Sequence, residues 1–300
     1  MRNHFMLRTG SLGTLATAVA ATVLLTSTVA HAQTDSSGCD RACLRQALDT
    51  YLAAVFKHDP AAARLTDDHY STENTAKVRN GEGFWKDISG YGELQRRYFD
   101  PVNGAGAYLG LLKQNGKDAI SSVRIKVEGG KVSEAEWCVQ PMADVQRLLN
   151  YAPPEGALPE SQRSSRFYMI SMANDYFQAG PDHDASWIPT DLRCFDKDPN
   201  PITSSPRRGD VCHANFQNYS HSTKDVSLRR FPLVDEEAGV ILGVGVVVRY
   251  ANDPKTDDTV NEYFQVANGT FVYIWTCSYQ APKGSPVTTG WEDKQGDTTR

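Results

Sequence analysis

RRYFDPVNGAGAYLG at residues 96–110 and RRFPLVDEEAGVILG at residues 229–243 are two versions of one pattern. Each begins with an arginine pair and ends with the order Ala-Gly-x-x-Leu-Gly. The two elements keep the same separation in both copies. A strand followed by a second strand, with glycines at fixed places, is therefore written twice in this chain, and the fold must accommodate both copies.

Further matches lie on either side of this pattern and in the same order. Tyr51 with His58-Asp59 recurs as Tyr176 with His183-Asp184. Cys138, which follows a Gly-Gly pair, recurs as Cys277, which follows Asn268-Gly269. The separation grows steadily along the chain, as expected for a duplicated domain with a few loop insertions. Residues 43–139 are thus predicted to be repeated, loosely, at residues 168–278.

The first 32 residues have the pattern of a secretory signal. Arg2 and Arg8 give a positive start, an apolar stretch runs from Leu12 to Leu25, and residues 30–32 (Ala-His-Ala) provide a small-x-small cleavage site. The apolar stretch is short for a membrane span. We therefore expect a periplasmic or secreted protein without a membrane partner.

The remaining chain, roughly 270 residues, suits two ordinary domains. We predict a first unit at residues 33–150, a linker rich in proline at 151–165, a second unit at 166–282 and a flexible tail at 283–300. Removing Arg2 and Arg8 leaves 29 basic and 36 acidic residues, a net charge of −7. This balance argues against a nucleic-acid partner, which requires clustered positive charge.

All six cysteines lie after the predicted signal, which in an oxidising compartment favours disulfides. They are Cys39, Cys43, Cys138, Cys194, Cys212 and Cys277. We predict a local Cys194–Cys212 bond and expect the two cysteines near the first helix to pair with the two at strand ends. Zinc is the alternative, but no second closely spaced Cys/His pair completes a tetrahedral set, so no metal is predicted.

Helical and strand periodicities divide each copy into two parts. Asp40 is a plausible N-cap for a helix over residues 41–57, and Asp59-Pro60 begins a short helix through Ala63. Strands are predicted at 107–112, 120–127 and 131–139, and again at 240–250, 262–266 and 271–279, with hairpin turns at Gly129-Gly130 and Asn268-Gly269. Helices followed by antiparallel strands, twice over, predict an α+β fold.

The chain resembles the NTF2-like superfamily, which includes the SnoaL-like polyketide cyclases and ketosteroid isomerases. It is most similar to exported bacterial and fungal proteins with two tandem NTF2-like units. The resemblance rests on residues 51–54 (YLAA), 58–60 (HDP), 72–74 (TEN), 81–85 (GEGFW), 229–240 (RRFPLVDEEAGV), 264–266 (FQV), Gly269 and 290–291 (GW). It departs at Cys194, which is followed by Phe195-Asp196-Lys197 where such proteins often have Glu-Asn-Gly. The first unit is therefore the favoured site.

The resemblance implies a cone-shaped unit, with helices packed on a curved sheet around an aromatic-lined pocket for a small apolar or aromatic molecule. Glu73, desolvated in that pocket, would act as a general base or acid. The alternative is that Glu73 and Asn74 cap a surface turn. His58-Asp59 and His183-Asp184 are interpreted as helix caps.

Other candidates are assigned by their position in each copy. The catalytic candidates besides Glu73 are Arg97, Tyr98 and His213; the ligand-binding candidates are Tyr70, Asn74, Trp85, Tyr219 and Arg230. The arginines would hold a carboxylate or enolate, or alternatively pair with acidic loops such as residues 235–237. His213 aligns with Trp85 and would face the second pocket. The aromatic residues are alternatively part of the core.

Three functions remain open from the sequence. The chain is an enzyme of cofactor-independent isomerase, lyase or hydrolase type, a non-catalytic binding protein, or a scaffold in which duplication replaces homodimerisation. The expected state is a monomer or homodimer, without a cofactor.

Overall fold

The computed structural model describes residues 38–141, 145–149, 152, 155–197, 223–253 and 255–292. Two long helices, α1 (Arg41–Phe56) and α4 (Arg166–Asp182), open the two halves of the chain. Their N-caps are Asp40, which accepts a hydrogen bond from the backbone N–H of Cys43, and Ser165, which accepts one from Tyr168. The predicted first helix and its cap are confirmed.

Shorter helical segments lie between and after these elements. Asp59 caps a 3₁₀ turn at Pro60–Ala63, as predicted. Two short α-helices are α2 (Phe84–Asp87) and α3 (Val145–Leu149), and a second 3₁₀ turn is formed by Glu160–Gln162. Asp184 accepts a hydrogen bond from the N–H of Ser186, but this segment is a turn, so the predicted second cap forms without a helix. No helix in the described residues is long and apolar enough to cross a membrane.

The first half, from α1 to β6, contains one mixed sheet. Its strands are β1 (Leu65–Glu73), β2 (Ala76–Val78), β3 (Ile88–Asp100), β4 (Ala105–Gln114), β5 (Lys117–Glu128) and β6 (Lys131–Pro141). Their order in the sheet is β2-β1-β6-β5-β4-β3. β1 runs parallel to β6, and every other neighbouring pair is antiparallel.

The second half, from α4 to β11, repeats this arrangement. Its strands are β7 (Thr190–Lys197), β8 (Thr223–Asp235), β9 (Val240–Arg249), β10 (Asp258–Ala267) and β11 (Thr270–Gln280). They follow the order β7-β11-β10-β9-β8, with β7 parallel to β11. The α+β class is confirmed. The two predicted hairpin turns are also present, since Gly129, Gly130, Asn268 and Gly269 all have positive φ, as a type I′ turn requires.

Each sheet has two buried faces, and β4 shows how they are divided. Ala107 and Leu109 belong to a cluster that also contains Leu242 and Trp275 of the second sheet. Tyr108, between them in sequence, points the other way and belongs to a cluster with α1. The second half has a corresponding cluster with α4. The sheets therefore pack against each other, and each helix lies on the opposite face of its own sheet.

Two fully buried aspartates join the halves at the ends of β3 and β8. Asp235 accepts a hydrogen bond from the backbone N–H of Phe99 at 2.8 Å and from two nitrogens of Arg41 at 2.7 and 3.1 Å. Arg41 also donates to the carbonyl oxygen of Phe99 at 3.0 Å. A carboxylate of the second half is thus satisfied entirely by groups listed from the first half and by the N–H of Ala238.

The reciprocal arrangement surrounds Asp100. Its carboxylate accepts a hydrogen bond from the backbone N–H of Val234 at 2.9 Å and is paired with both terminal nitrogens of Arg166. Arg166 donates in addition to the carbonyl oxygen of Val234 at 3.1 Å. We call these two sets of contacts the crossed clamp, because each aspartate and its arginine come from different halves.

Two disulfides are formed among the described residues. Cys39 is bonded to Cys43, and Cys138 is bonded to Cys277. The prediction that these four cysteines are oxidised is confirmed, but the expected pairing of helix cysteines with strand cysteines is wrong. Cys138 and Cys277 lie on corresponding strands, β6 and β11, which face each other between the sheets. The predicted Cys194–Cys212 bond lies outside the described residues.

We expect the Cys138–Cys277 bond to contribute much more stability than Cys39–Cys43. It spans 139 residues of sequence rather than 4, and a loop of that length corresponds to about 4–5 kcal/mol of unfolding free energy in the chain-entropy model. Urea unfolding of Cys138→Ala/Cys277→Ala should show this loss. The Cys39→Ala/Cys43→Ala protein is the matched control, and an equal loss in both would contradict the expectation.

Breaking the crossed clamp should destabilise the protein strongly. Asp100→Asn removes a buried charge from Arg166 and weakens the bond to the N–H of Val234, which we expect to cost about 2–4 kcal/mol. The control is Asp49→Asn, which breaks a 2.7 Å pair with Arg97 in which Asp49 is 43% exposed. That change should cost less than about 1 kcal/mol. Urea unfolding compares them, and equal losses would show that the clamp has no special role.

Candidate functional site

Glu73 ends β1, and a glycine-containing loop holds its carboxylate inside the first half. The side chain is 8% exposed, and its Oε2 accepts a hydrogen bond from the backbone N–H of Phe84 at 2.7 Å. Gly83 has a φ of +58°, and a Cβ there would lie 2.0 Å from Oε2. Only glycine both adopts this backbone and leaves room for the carboxylate. The segments 72–74 and 81–85 therefore meet at one place.

The surroundings of Glu73 favour its protonated form. Burial raises its pKa from 4.5 to about 7, and the negative charge of Asp87 acts in the same direction. The hydrogen bond from Phe84 partly opposes this increase because it stabilises the ionised carboxylate. A carboxyl group in this condition can release or accept a proton near neutral pH.

Three buried aromatic side chains form the adjoining part of the interior. The indole N–H of Trp137 donates to the hydroxyl of Tyr51 at 3.1 Å, and Trp85 meets Tyr51 edge to face at 5.7 Å between ring centroids. Burial raises the pKa of Tyr51, and the charge of Glu73 raises it further. We call Glu73, Tyr51, Trp85 and Trp137 the first-half cluster. It combines one titratable carboxyl with apolar walls.

A histidine that sequence reasoning set aside lies beside this cluster. His69 is on β1, and its ring centroid is 6.4 Å from that of Tyr51. Its Nδ1 is 3.0 Å from the carbonyl oxygen of Val132. Burial lowers the pKa of His69, which favours the neutral ring. His58, at the end of α1, contacts the carbonyl oxygen of Trp85 and so helps to fix that side chain.

Asn74, a predicted ligand-binding residue, is bound to the backbone at both ends of its amide. Its Nδ2 donates to the carbonyl oxygen of Val139 at 3.1 Å, and its Oδ1 accepts from the N–H of the same residue at 3.0 Å. The residue itself has a φ of +46° at the turn between β1 and β2. Its side chain thus continues the pairing of β1 with β6, a structural role.

Tyr70 and Arg230 both contact a segment near the C-terminus. The Tyr70 hydroxyl donates to the carbonyl oxygen of Gly290 at 2.6 Å, and its ring lies 4.8 Å from that of Trp291. Arg230 lies over the Trp291 indole at 5.5 Å and pairs with Glu136. Neither joins the first-half cluster.

The remaining catalytic candidates also lie elsewhere. Arg97 pairs with Asp49 on α1 at 2.7 Å. Tyr98 is buried between the sheets, 5.8 Å from Tyr263, and therefore lies across the first sheet from Tyr51. His213 and Tyr219 fall outside the described residues. Of the predicted site residues, the structure brings together Glu73 and Trp85.

Sequence reasoning missed the groups that make Glu73 unusual. The N–H of Phe84 and the glycine conformation at residue 83 lie in the segment 81–85, whose spacing from Glu73 gives no sign of contact. Tyr51 and Trp137 were visible only as apolar positions. The recurrence of Tyr51 as Tyr176 was the one usable signal, because a buried tyrosine generally needs a partner for its hydroxyl.

A comparison with protein families finds one match. Residues 162–278 match a domain of unknown function, DUF8021, which covers less than half of the chain. No curated protein matches. The second half therefore has a family assignment that carries no activity.

Among solved structures, the chain is similar to an NTF2-like protein of unknown function from Cytophaga hutchinsonii, with 16% identity and a TM-score of 0.27, over 35% of this chain and 94% of that one. It is similar to an NTF-2 like protein of unknown function from Burkholderia xenovorans, with 16% identity and a TM-score of 0.28, over 38% and 95%. A de novo designed protein with a curved β-sheet gives 19% identity and a TM-score of 0.29, over 37% and 98%.

The raised pKa of Glu73 predicts a pH-dependent stability. Because the folded protein holds the proton more tightly than the unfolded chain, this contribution is fully present below about pH 4.5 and is lost as pH rises towards 7. The loss is at most about 3 kcal/mol. Glu73→Gln should remove it, so that urea unfolding at pH 5 and pH 8 differs less in the variant than in wild type. An unchanged difference would contradict the burial of an ionisable Glu73.

Proposed function

We propose that this chain is an exported protein of two tandem NTF2-like units that binds a small apolar or aromatic metabolite in its first unit. The observation that supports the site most directly is the Glu73 carboxyl, buried against aromatic side chains and titrating at about 7. In a site of this kind, the apolar walls provide affinity and one polar group fixes the orientation of the ligand.

The equal strand orders of the two sheets support the tandem arrangement. Each half opens with a long helix, and the sheets face each other through a shared apolar cluster. We assign residues 33–150 and 166–282 to the two units and 151–165 to their connection. In this arrangement the second unit takes the place of a partner subunit, and the chain acts as a monomer. The signal-like pattern at 1–32 and the two disulfides support export.

The chemistry we propose is cofactor-free acid–base catalysis on a proton next to a carbonyl group. A carboxyl with a pKa of about 7 is half ionised at neutral pH, so Glu73 can accept a proton from carbon and return it at another position. This is the class of isomerase and lyase chemistry expected from the SnoaL-like resemblance. The neutral His69 and the hydroxyl of Tyr51 are the nearest polar groups.

The second candidate is binding without catalysis. It is favoured by the contacts that the first-half cluster already makes, because Glu73 accepts from the N–H of Phe84 and Tyr51 accepts from Trp137. In this form Glu73 holds the 81–85 loop and recognises a ligand, but moves no proton.

The test uses 2-tetralone, an aromatic ketone with exchangeable hydrogens. Its binding is measured by calorimetry and its hydrogen–deuterium exchange by NMR in heavy water. Catalysis at Glu73 predicts an exchange rate that rises with pH around 7 and falls at least about 100-fold in Glu73→Gln. The control is Glu128→Gln, an exposed glutamate paired with Lys126, which should leave both measurements unchanged.

The outcomes separate the candidates. Binding that weakens in Glu73→Gln without any catalysed exchange in wild type supports the non-catalytic form. If neither binding nor exchange responds to Glu73→Gln, the site is wrongly assigned.

A further inference from the structure

The Cys138–Cys277 bond gives a common reference point for the two halves. Cys138 is paired across the sheet with Ser122, and Cys277 with Asn261. One position further along, Val123 is paired with Trp137, and Glu262 with Thr276. Glu262 therefore takes in the second half the place that Val123 takes in the first.

Glu262 is buried in the interior of the second half. It is 5% exposed, and its Oε1 accepts hydrogen bonds from the Tyr176 hydroxyl at 3.3 Å and from Thr276 Oγ1 at 3.1 Å. The ring of Tyr176 lies 4.8 Å from that of Phe264 and 6.2 Å from that of Phe271. A carboxylate with two hydroxyl donors is thus set among aromatic side chains.

The first half shows what this position needs for folding. There, Val123 is fully buried, and the hydroxyl of Tyr51, the counterpart of Tyr176, accepts from the indole of Trp137. The same strand pairing and the same tyrosine are therefore compatible with a purely apolar side chain. Since burying a carboxylate is unfavourable unless it is well compensated, Glu262 is not explained by the fold.

We propose that Glu262, Tyr176 and Thr276 form a second binding site, which holds the hydroxyl or ammonium group of an aromatic molecule. A carboxylate accepts up to about four hydrogen bonds, so two protein hydroxyls orient Glu262 without exhausting it. The neighbouring phenylalanines would contact the apolar body of the ligand. This site goes beyond the proposed function at Glu73 and depends on different residues.

Stability is the first test, because it separates a functional carboxylate from a structural one. Glu262→Val copies the first half and should have a melting temperature equal to or above that of wild type. Glu262→Gln keeps the shape and the neighbouring hydroxyls, and is used for binding. A melting temperature of Glu262→Val that falls by more than about 5 °C, a shift near 1 kcal/mol or more for a chain of this size, would mean a structural carboxylate and overturn the proposal.

Binding is the second test, with 2-naphthol as the probe and 2-methoxynaphthalene as the matched compound without a donor. Calorimetry should show that wild type prefers 2-naphthol at least 10-fold and that Glu262→Gln loses this preference. Glu73→Gln should retain the preference, so a failure of the first site is distinguished from a failure of this one. Equal affinity of wild type for the two compounds, or a preference that survives Glu262→Gln, would overturn the proposal.

Discussion

The crossed clamp is the constraint on which the rest of the structure depends. Asp100 and Asp235 are fully buried, and a buried carboxylate is tolerated only when charges and hydrogen bonds compensate it. The compensating arginines, Arg166 and Arg41, belong to the opposite half in each case. Neither half can therefore bury its own aspartate alone. The apolar faces between the sheets are brought together by the same contacts, so the two halves depend on each other for a folded state.

This dependence decides where chemistry can occur. One face of each sheet is used for the contact between halves, which contains Tyr98 and Tyr263. The other face encloses the interior beneath the long helix, where the first-half cluster lies around Glu73. The sheet itself separates these regions. Residues with similar positions in the sequence pattern, such as Arg97 and Tyr98, are consequently directed to different surroundings.

Local signals in the sequence predicted the elements whose causes are local. Asp40 and Asp59 cap their helices, and Gly129 and Asn268 make their turns, because these effects involve residues a few positions apart. The parallel pairing of β1 with β6 has no local cause, and β1 carries mostly polar residues. The arginines at the starts of α1 and α4 are unfavourable for the helix dipole. Only their distant aspartates explain them, and the same is true of Glu73 and the loop at Gly83.

A covalent bond between corresponding positions has a consequence for how the two interiors differ. In a homodimer with twofold symmetry, any residue placed in one interior is also placed in the other. Here both interiors belong to a single chain joined at Cys138 and Cys277, so that identity is not imposed. Val123 and Glu262 hold corresponding places with opposite polarity. The molecule keeps the mutual support of a symmetric pair while its two halves are free to recognise different chemistry.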